Sequence, residues 1–292
     1  MQDLAVISDS ISEATGRECI LSNPSSISGG CINEAFRLTD QNDHVYFIKK
    51  NSREFLPFFK AEAEALSQIN HTNTVRVPEI ICYGESEISS FLILEFIKEG
   101  SSGKNGQRKL GEQLAQLHLI KMPHFGWTTD NCIGATPQPN PKSNDWISFY
   151  RDYRLLHQFN LARKKGYSFE GEKKLLENIG FFFKDYTPHP SLLHGDLWGG
   201  NSGYTADGDP FIFDPASYFG DRETDIAFTY MFGGYDSSFY DSYEKTFPLN
   251  PGFTVRKTLY NLYHELNHLN LFGRGYESSS QSSIQKLVSQ IH

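Results

Sequence analysis

The chain has 292 residues, 38% of them hydrophobic and 14% aromatic, which is enough for one large domain or for two lobes with a cleft between them. Its formal net charge of −8 argues against nucleic acid or an anionic membrane as the main partner. The four cysteines form no C-x-x-C pair, and residues 1–16 lack the basic and apolar regions of a secretory signal, so we expect a reduced, cytoplasmic protein.

The first segment that suggests chemistry is "ISGGCINEAF", residues 27–36. Adjacent glycines between two strand-like segments often let backbone N–H groups approach a phosphate. The segment has neither the G-x-G-x-x-G pattern of dinucleotide and protein-kinase loops nor the G-x-x-x-x-G-K-[ST] pattern of P-loop NTPases. By itself it is therefore a weak indication of a phosphate site.

Residues 31–97 alternate between predicted strands and one predicted helix. "CINEAFRLT" and "HVYFIKK" (44–50) flank the polar turn "DQND" and predict a hairpin. The segment 56–70 is rich in helix formers, with apolar residues at helical spacing. A second strand pair is predicted within 77–96, on either side of "GESEISS".

These elements carry the residue types of a nucleotide-binding lobe. Lys49 ends a predicted strand, where a kinase has the lysine that contacts the α- and β-phosphates. Glu62 lies thirteen residues later in the predicted helix and can pair with Lys49, although Glu64 is a competing candidate. "LILEFI" matches the hinge between kinase lobes. Backbone groups of Glu95, Phe96 and Ile97 would hydrogen-bond adenine there.

The pattern changes after the glycine-rich segment 97–107. The following segments are mostly helical, at 107–120, 145–166, 170–186 and from about 253, with an interruption of short strands and loops at 191–217. We therefore predict an α+β protein of two lobes, which the family resemblance described below implies to be a protein-kinase-like fold. Its small N-terminal lobe, residues 1–97, has an antiparallel sheet and one helix, and its larger lobe, residues 98–292, is mainly helical.

The segment "HGDLWGGN" has the strongest chemical pattern in the chain. His194, Asp196 and Asn201 have the H-x-D-x-x-x-x-N spacing of a kinase catalytic loop, and Asp214 follows at the end of an apolar strand. One Asp can accept a hydroxyl proton, while an Asn and a second Asp supply hard oxygen ligands for Mg²⁺. The spacing indicates phosphoryl transfer from ATP with Mg²⁺.

Taken together, several motifs resemble the fructosamine-3-kinase (ketosamine kinase) family, within the aminoglycoside-phosphotransferase-like and protein-kinase-like superfamily. The motifs that point most specifically to this family are "HGDLWGGN", "FDPAS" and "GDRETDIA". The other matching motifs are "SGGCINEAF", "FIKK", "FKAEAEAL" and "FGWTTDNCIGATPQPN". The resemblance covers roughly residues 1–290.

The resemblance implies a role for each matching residue of the catalytic centre. Asp196 would be the catalytic base, Asn201 and Asp214 would hold Mg²⁺, Lys49 would bind the ATP phosphates and Glu62 would position Lys49. Pro215 and Ala216 stand where a protein kinase has the Phe and Gly of D-F-G, so switching of the D-F-G kind is in doubt.

Other matching residues have supporting or open roles. His194 would brace the catalytic loop, and Asp225 would hydrogen-bond its backbone. Trp198 is either a stacking surface for the sugar or its amine substituent, or a core residue. Asp221 and Arg222 are either substrate contacts or an internal ion pair.

The glycine segment then becomes a flap over ATP, in which Gly29 and Gly30 let the backbone approach the phosphates beside Cys31 and Asn33. A thiol on such a loop suggests a hypothesis of redox control, in which oxidation of Cys31, for example to a disulfide with the same residue of a second subunit, tunes ATP access. The alternative is a small residue that fits a tight turn. The sequence favours neither a monomer nor a homodimer.

The implied reaction is ATP-dependent phosphorylation of the sugar 3-hydroxyl of a ketoamine, such as fructosamine or ribulosamine, either free or on a glycated protein lysine. The alternatives are a kinase for another small alcohol (an aminoglycoside-, choline- or homoserine-like acceptor) and a nucleotide-binding pseudokinase. The presence of all four residues Lys49, Asp196, Asn201 and Asp214 argues against the pseudokinase.

The chain also contains a zinc-protease pattern, which we interpret as a coincidence of spacing. His264, Glu265 and His268 match the H-E-x-x-H of zinc proteases, but a third ligand is also needed. Only Glu277 and the terminal His292 follow, and the segment is explained as an amphipathic packing helix.

Overall fold

A five-stranded antiparallel sheet organises the N-terminal part of the molecule. The computed structural model describes residues 3–27 and 32–291. The sheet has the strand order β1-β2-β3-β5-β4 and comprises β1 (Leu21–Ser26), β2 (Glu34–Asp40), β3 (Val45–Asn51), β4 (Ile80–Glu85) and β5 (Ser90–Glu95). The two predicted hairpins are confirmed as the antiparallel pairs β2–β3 and β4–β5.

One helix packs on each face of this sheet. α1 (Leu4–Thr15) and α2 (Leu56–His71) are both α-helices, so the prediction of a single helix here is wrong. Side chains alternate along a strand, and on β5 Phe91 and Ile93 join the cluster that holds α1, whereas Leu92 and Leu94 join the core that holds α2. α1 was missed because its apolar residues are spaced among serines and acidic residues.

The rest of the chain is mainly helical with short strands. Its helices are α3 (Gly106–Leu119), α4 (Trp146–Tyr150), α5 (Leu156–Lys164), α6 (Glu172–Glu177), α7 (Glu223–Thr229), α8 (Ser237–Thr246), α9 (Phe253–Phe272) and α10 (Glu277–Val288). A π-helical turn, Arg151–Leu155, joins α4 to α5, and a 3₁₀ turn, Ile179–Phe183, follows α6. None of the described helices is long and apolar enough to span a bilayer.

The short strands hold in place the loops that carry the polar motifs of the sequence. They form three antiparallel pairs, namely β6 (Asn131–Ile133) with β7 (Thr136–Gln138), β8 (Ser191–Leu192) with β11 (Phe219–Gly220), and β9 (Ser202–Tyr204) with β10 (Pro210–Ile212). Single β-bridges join Arg76 to Phe211 and Glu99 to Thr205. These bridges connect the segments that flank β4 and β5 to the β9–β10 pair, so the sheet and the catalytic segment are directly linked.

Candidate active site

The loop between β8 and β9 holds Asp196 in a fixed position. The Asn201 Nδ2 atom donates to the backbone oxygen of Asp196 at 2.8 Å and to its Oδ2 atom at 3.0 Å. Asn201 therefore closes the loop on Asp196, and the two residues that the sequence pairs by spacing are in contact.

His194 braces this loop from inside. Its Nε2 atom lies 2.9 Å from the backbone oxygen of Phe213, and its Nδ1 atom accepts from the Asp196 N–H at 3.2 Å. Burial lowers the pKa of His194, more than the nearby Asp225 charge raises it. A neutral imidazole that donates through Nε2 and accepts through Nδ1 fits both contacts, so His194 links the two loops.

Asp225, in the first turn of α7, supports the same loop from behind. Its Oδ2 and Oδ1 atoms accept from the backbone N–H groups of His194 and Gly195 at 2.7 and 2.8 Å. The His118 Nε2 atom lies 3.2 Å from Oδ2, and its Nδ1 atom lies 2.8 Å from the Tyr243 hydroxyl. The structure therefore contains the backbone contacts that the sequence predicts for Asp225.

The Asp214 segment passes close against the catalytic loop. Asp214 has a left-handed backbone with φ 57°, and Ala216 N–H donates to the His194 oxygen at 2.9 Å. A Cβ atom at Gly195, where φ is +83°, would lie 2.1 Å from the Ala216 oxygen. Glycine in "HGD" is therefore required both by its own conformation and by the approach of the Asp214 segment.

Lys49 joins the sheet to this segment through two ion pairs. Its Nζ atom lies 2.6 Å from Glu62 Oε1 on α2 and 2.7 Å from Asp214 Oδ1. Burial lowers the pKa of Lys49, but the two carboxylates outweigh that effect and raise the pKa above its ordinary value. The ammonium therefore stays charged although only 5% of Lys49 is exposed.

The choice between Glu62 and Glu64 is settled by geometry. Two residues apart on a helix, the carboxylates point in different directions. Glu62 points at Lys49, whereas Glu64 Oε1 accepts from the Thr128 hydroxyl at 2.7 Å.

The carboxyl groups of the centre influence each other's ionisation. Burial raises the pKa of Asp196 well above its ordinary value, and the charge of Asp214 raises it further. Burial also raises the pKa of Glu62, while Lys49 opposes the shift. A cation held by Asp214 would offset the part of the Asp196 shift that Asp214 causes.

The donor set fits a magnesium ion that is shared with phosphates. Asp214 and Asn201 supply hard oxygen atoms, and Mg²⁺ in such sites takes only one or two protein ligands and completes its shell with phosphate and water. Within the described ranges, no group of three His, Cys, Asp or Glu side chains could hold a metal by itself. The site thus suits Mg²⁺ that arrives with a nucleotide.

The first residue of the predicted hinge, Glu95, already makes hydrogen bonds at the end of β5. The Glu95 N–H donates to the Glu79 oxygen at 2.8 Å, and its carboxylate pairs with Arg76 at 2.5 Å. The Glu95 amide is thus unavailable to adenine in this arrangement, and Phe96 and Ile97 follow as the next backbone groups of the hinge.

The glycine flap lies mostly outside the described residues. The predicted contacts of Gly29, Gly30 and Cys31 with ATP, and the redox hypothesis for Cys31, concern residues outside the described ranges and stay predictions. Asn33 is described, and its Oδ1 atom accepts from Asn51 Nδ2 at 2.8 Å, which ties the end of the flap to β3.

Trp198 lies beside the catalytic loop with its side chain half-buried. Its ring contacts Phe232 at 5.5 Å between centroids, and its backbone oxygen accepts from the Tyr235 hydroxyl at 3.2 Å. Trp198 is thus partly exposed two residues after Asp196, and its stacking role stays a prediction.

The tentative role of Asp221 as a substrate contact is wrong. Asp221 is fully buried, and its carboxylate accepts from the hydroxyl groups of Tyr186 and Tyr260. The alternative of an ion pair with Arg222 is also not what the structure has, since Arg222 donates to the backbone oxygens of Phe247 and Pro248. Both residues serve packing at the start of α7.

The sequence reasoning missed a buried amide network behind Asp214. Asn131 Nδ2 donates to the Ser217 oxygen at 2.8 Å, and Gln138 Nε2 donates to the Ala216 oxygen at 3.1 Å and to Asn131 Oδ1 at 2.8 Å. Arg154 extends the network through Asn140 Oδ1 at 2.6 Å. The segment "NCIGATPQPN" was noticed, but nothing in its spacing indicates that it faces Asp214.

The H-E-x-x-H pattern lies on α9 and has a packing role. The His264 ring stacks on Phe228 with centroids 3.6 Å apart, and His264 is only 4% exposed. Burial, together with His268, lowers the pKa of His264 well below its ordinary value. The zinc-protease interpretation therefore stays rejected.

Comparison with known proteins gives a consistent set of similarities. The family model described as "Fructosamine kinase" matches residues 4–290. A Synechocystis sp. protein described as a probable ketoamine kinase is 42% identical, covering 97% of this chain and 96% of its own length. The chloroplastic protein-ribulosamine 3-kinase of Arabidopsis thaliana is 41% identical, covering 92% and 83%.

A crystal structure has the same architecture over its whole length. It is that of a Haemophilus somnus protein assigned as a fructosamine-3-kinase, which is 30% identical with a TM-score of 0.92, covering 100% of this chain and 99% of its own.

Proposed function

Because the chain belongs to the fructosamine kinase family, we propose that it transfers the γ-phosphoryl group of ATP to a sugar hydroxyl of a ketoamine. The acceptor is a free ketoamine or one formed on a protein lysine. The observation that carries the proposal is the contact of Lys49 with both Glu62 and Asp214, next to an Asp196 held by Asn201. The 3-hydroxyl is proposed as the acceptor because the Arabidopsis relative bears the name protein-ribulosamine 3-kinase.

Each residue of the centre has a distinct task in this reaction. Lys49, fixed by Glu62, holds the nucleotide phosphates, and Asn201 and Asp214 would hold Mg²⁺, which would neutralise charge on the phosphates. Asp196 orients the sugar hydroxyl and accepts its proton. A bond then forms between the sugar oxygen and the γ-phosphorus while the bond to the bridging β–γ oxygen breaks, giving ADP and a phosphorylated ketoamine.

The environment of Asp196 suits a base of this kind. Its raised pKa makes the carboxylate a better proton acceptor than an exposed aspartate, provided that it is ionised. Lys49 lowers the pKa of Asp196, and Mg²⁺ at Asp214 would lower it in the same sense. Both cations thus favour the ionised form of Asp196, which is the form that accepts the proton.

The decisive experiment measures ADP release from Mg-ATP with ribose and fructose adducts of lysine, using aminoglycosides and choline as control acceptors. Turnover of the adducts, with the phosphate located on C3 by NMR, supports the proposal. Turnover restricted to the controls refutes the ketoamine assignment, and binding of ATP without turnover of any acceptor indicates a pseudokinase.

The role of Asp196 has its own test. Asp196→Asn removes the proton acceptor but preserves the shape of the side chain, so kcat is expected to fall by about 1,000-fold or more while ATP binding persists. Asp209→Asn, a change at a carboxylate whose side chain is 57% exposed, is the matched control. Near-normal kcat in the Asp196 variant would refute the assignment.

We also place the reaction in the cytoplasm, as the composition predicts. Cys19, Cys82 and Cys132 are free thiols, as expected in a reducing compartment. Cell fractionation with an antibody to the protein checks this location.

A further inference from the structure

A row of aromatic side chains begins beside the catalytic loop and runs to the end of α9. We call this set the aromatic row, and its members are Trp198, Phe232, His268, Phe272 and Tyr276. Ring centroids are 5.5 Å apart for Trp198 and Phe232, and 5.3 Å for Phe232 and His268. His268 then stacks with Phe272 at 5.7 Å and with Tyr276 at 5.1 Å.

The outer part of the row lies where the two halves of the molecule meet. Leu271, next to Phe272, approaches the β6–β7 turn so closely that a Cβ atom at Gly134 would lie 3.0 Å from it and 3.2 Å from Ile32. Cys132 of the same hairpin is close enough to Glu62, Lys49 and Asp196 for their charges to affect its pKa. The end of α9 therefore borders the same cleft as the catalytic centre.

Two members of the row expose more than half of their surface to solvent. Phe232 is 53% exposed and Phe272 is 57% exposed. Phe232 also has a left-handed backbone with φ 57°, which is uncommon for a bulky residue and is found preferentially at functional positions. Aromatic surface that stays in water beside an active site indicates a binding surface.

The row also has no fixed charge. Burial lowers the pKa of His268, so its ring is neutral at pH 7 and acts as an aromatic surface. Neutral aromatic faces attract apolar groups, and they also attract an ammonium that lies over the ring.

We propose that the aromatic row binds the group carried by the amine nitrogen of the ketoamine. This inference rests on the proposed function. With the acceptor hydroxyl at Asp196 and the sugar beside Trp198, the amine nitrogen and its alkyl or aryl group extend along Phe232 toward Phe272. The nitrogen carries a positive charge when protonated, and its substituent is apolar near the point of attachment, so both parts match an uncharged aromatic surface. The row thus favours ketoamines of large amines over those of small ones.

The test compares two fructose adducts, one of 4-phenylbutylamine, which is long enough to extend past Phe232 toward Phe272, and one of methylamine, which shares the sugar but is too short to do so. The measured quantity is the kcat/KM for the phenylbutylamine adduct divided by that for the methylamine adduct. Phe232→Ala and Phe272→Ala are each expected to lower this ratio about fivefold. Tyr83→Ala, which removes an aromatic side chain of similar exposure (45%) from β4, is the matched control and should leave the ratio unchanged.

The outcomes separate this inference from the proposed function. If the wild-type chain phosphorylates both adducts and neither Phe variant changes the ratio, the row is not a substrate surface and the kinase activity stands. An equal loss on both adducts also overturns the inference, because it indicates a structural role. If the wild-type chain accepts only ribose adducts, the same ratio is measured with the ribose adducts of the two amines. If it phosphorylates neither the fructose nor the ribose adducts, the proposed function itself fails, and the inference with it.

Discussion

The two carboxylates around Lys49 come from different parts of the chain, and they have different tasks. Glu62 belongs to α2, and its side chain is only 13% exposed. The Asp214 side chain is 42% exposed. In the proposed reaction Asp214 would also bind the metal, so Glu62 is the partner that keeps Lys49 in place while the phosphates bind.

This difference predicts unequal effects at two neighbouring positions. Glu62→Gln removes a charge-assisted hydrogen bond of about 2 kcal/mol, so the KM for ATP is expected to rise at least about 10-fold. Glu64→Gln alters a carboxylate that contacts Thr128 and is the matched control. The KM for ATP of each variant is measured by steady-state kinetics with varied ATP. Equal KM values in the two variants would contradict the role of Glu62 in positioning Lys49.

Among the secondary-structure elements, the β6–β7 hairpin has the least obvious connection to the site. Its two amides, Asn131 and Gln138, bind the backbone just after Asp214, and they are buried. A buried amide that loses its partner costs about 1–3 kcal/mol. The hairpin therefore both stabilises the fold and positions Asp214.

Removal of the Asn131 amide should lower both the free energy of unfolding and kcat. Asn131→Ala removes the side-chain donor to the Ser217 oxygen and one of the two acceptors of each of the Gln138 and Asn140 amides, so the free energy of unfolding is expected to fall by about 2–4 kcal/mol. We also expect a lower kcat, since the Asp214 segment is less fixed.

Asn105→Ala, at an exposed residue before α3 whose side chain makes no capping hydrogen bond, is the control. Urea denaturation and single-turnover kinetics are the measurements. Equal stability of the two variants would show that the amide network is dispensable.

Helix α9 carries a buried histidine whose ionisation affects stability. The folded-state pKa of His264 is well below 6.5, while in the unfolded chain it is ordinary. Below about pH 6.5 the unfolded chain binds a proton that the folded chain does not, so the free energy of unfolding falls as the pH falls. The loss from this one residue is about 1.4 kcal/mol per pH unit.

The corresponding measurement is urea denaturation of the wild-type chain and of His264→Phe at pH 7.5, 6.0 and 5.0. The variant keeps an aromatic ring against Phe228 but cannot bind the proton. It should therefore lose about 1.4 kcal/mol less per pH unit below pH 6.5 than the wild type. Parallel curves down to pH 5.0 would contradict this role of His264.

For the whole molecule, the proposed nucleotide site joins the sheet to the helical part. Lys49 belongs to β3, and Asn201 and Asp214 lie around the β9–β10 pair. A ligand that contacts both parts stabilises the folded chain by about 2.7 kcal/mol at 100 times its dissociation constant.

A non-hydrolysable ATP analogue with Mg²⁺ should therefore raise the melting temperature by several degrees. Lys49→Met should lose most of this shift, and Asp209→Asn should retain it. Differential scanning fluorimetry measures both. A full shift in the Lys49 variant would mean that the nucleotide does not use Lys49.

The sequence predicted those parts of the molecule that follow from local patterns. Alternating apolar residues identified β2–β5, and helical spacing identified α2, α3 and α9. The predicted helix at 170–186 is instead α6 followed by a 3₁₀ turn, because the local pattern does not reveal the break at Asn178. The division into lobes at residue 97 remains a prediction.

For the site, spacing between residues gave Asp196, Asn201 and Asp214, because one loop and the next strand determine their positions. It could not choose between Glu62 and Glu64, which depends on how α2 is rotated against β3. It also could not find Asn131 or assign Asp221, since both depend on contacts between segments about 40 to 90 residues apart, as in the Asn131–Ser217 and Asp221–Tyr260 hydrogen bonds.

The charged, buried state of Lys49 has a chemical consequence for an enzyme that works among reducing sugars. A sugar aldehyde adds only to a neutral amine, and only to one that it can reach. Lys49 is neither neutral nor accessible, because Glu62 and Asp214 keep its proton in place and cover it. An exposed lysine such as Lys173, whose side chain is 88% exposed, has no such shelter. The amine that the proposed catalysis needs most is thereby shielded from the very modification that the enzyme is proposed to act upon.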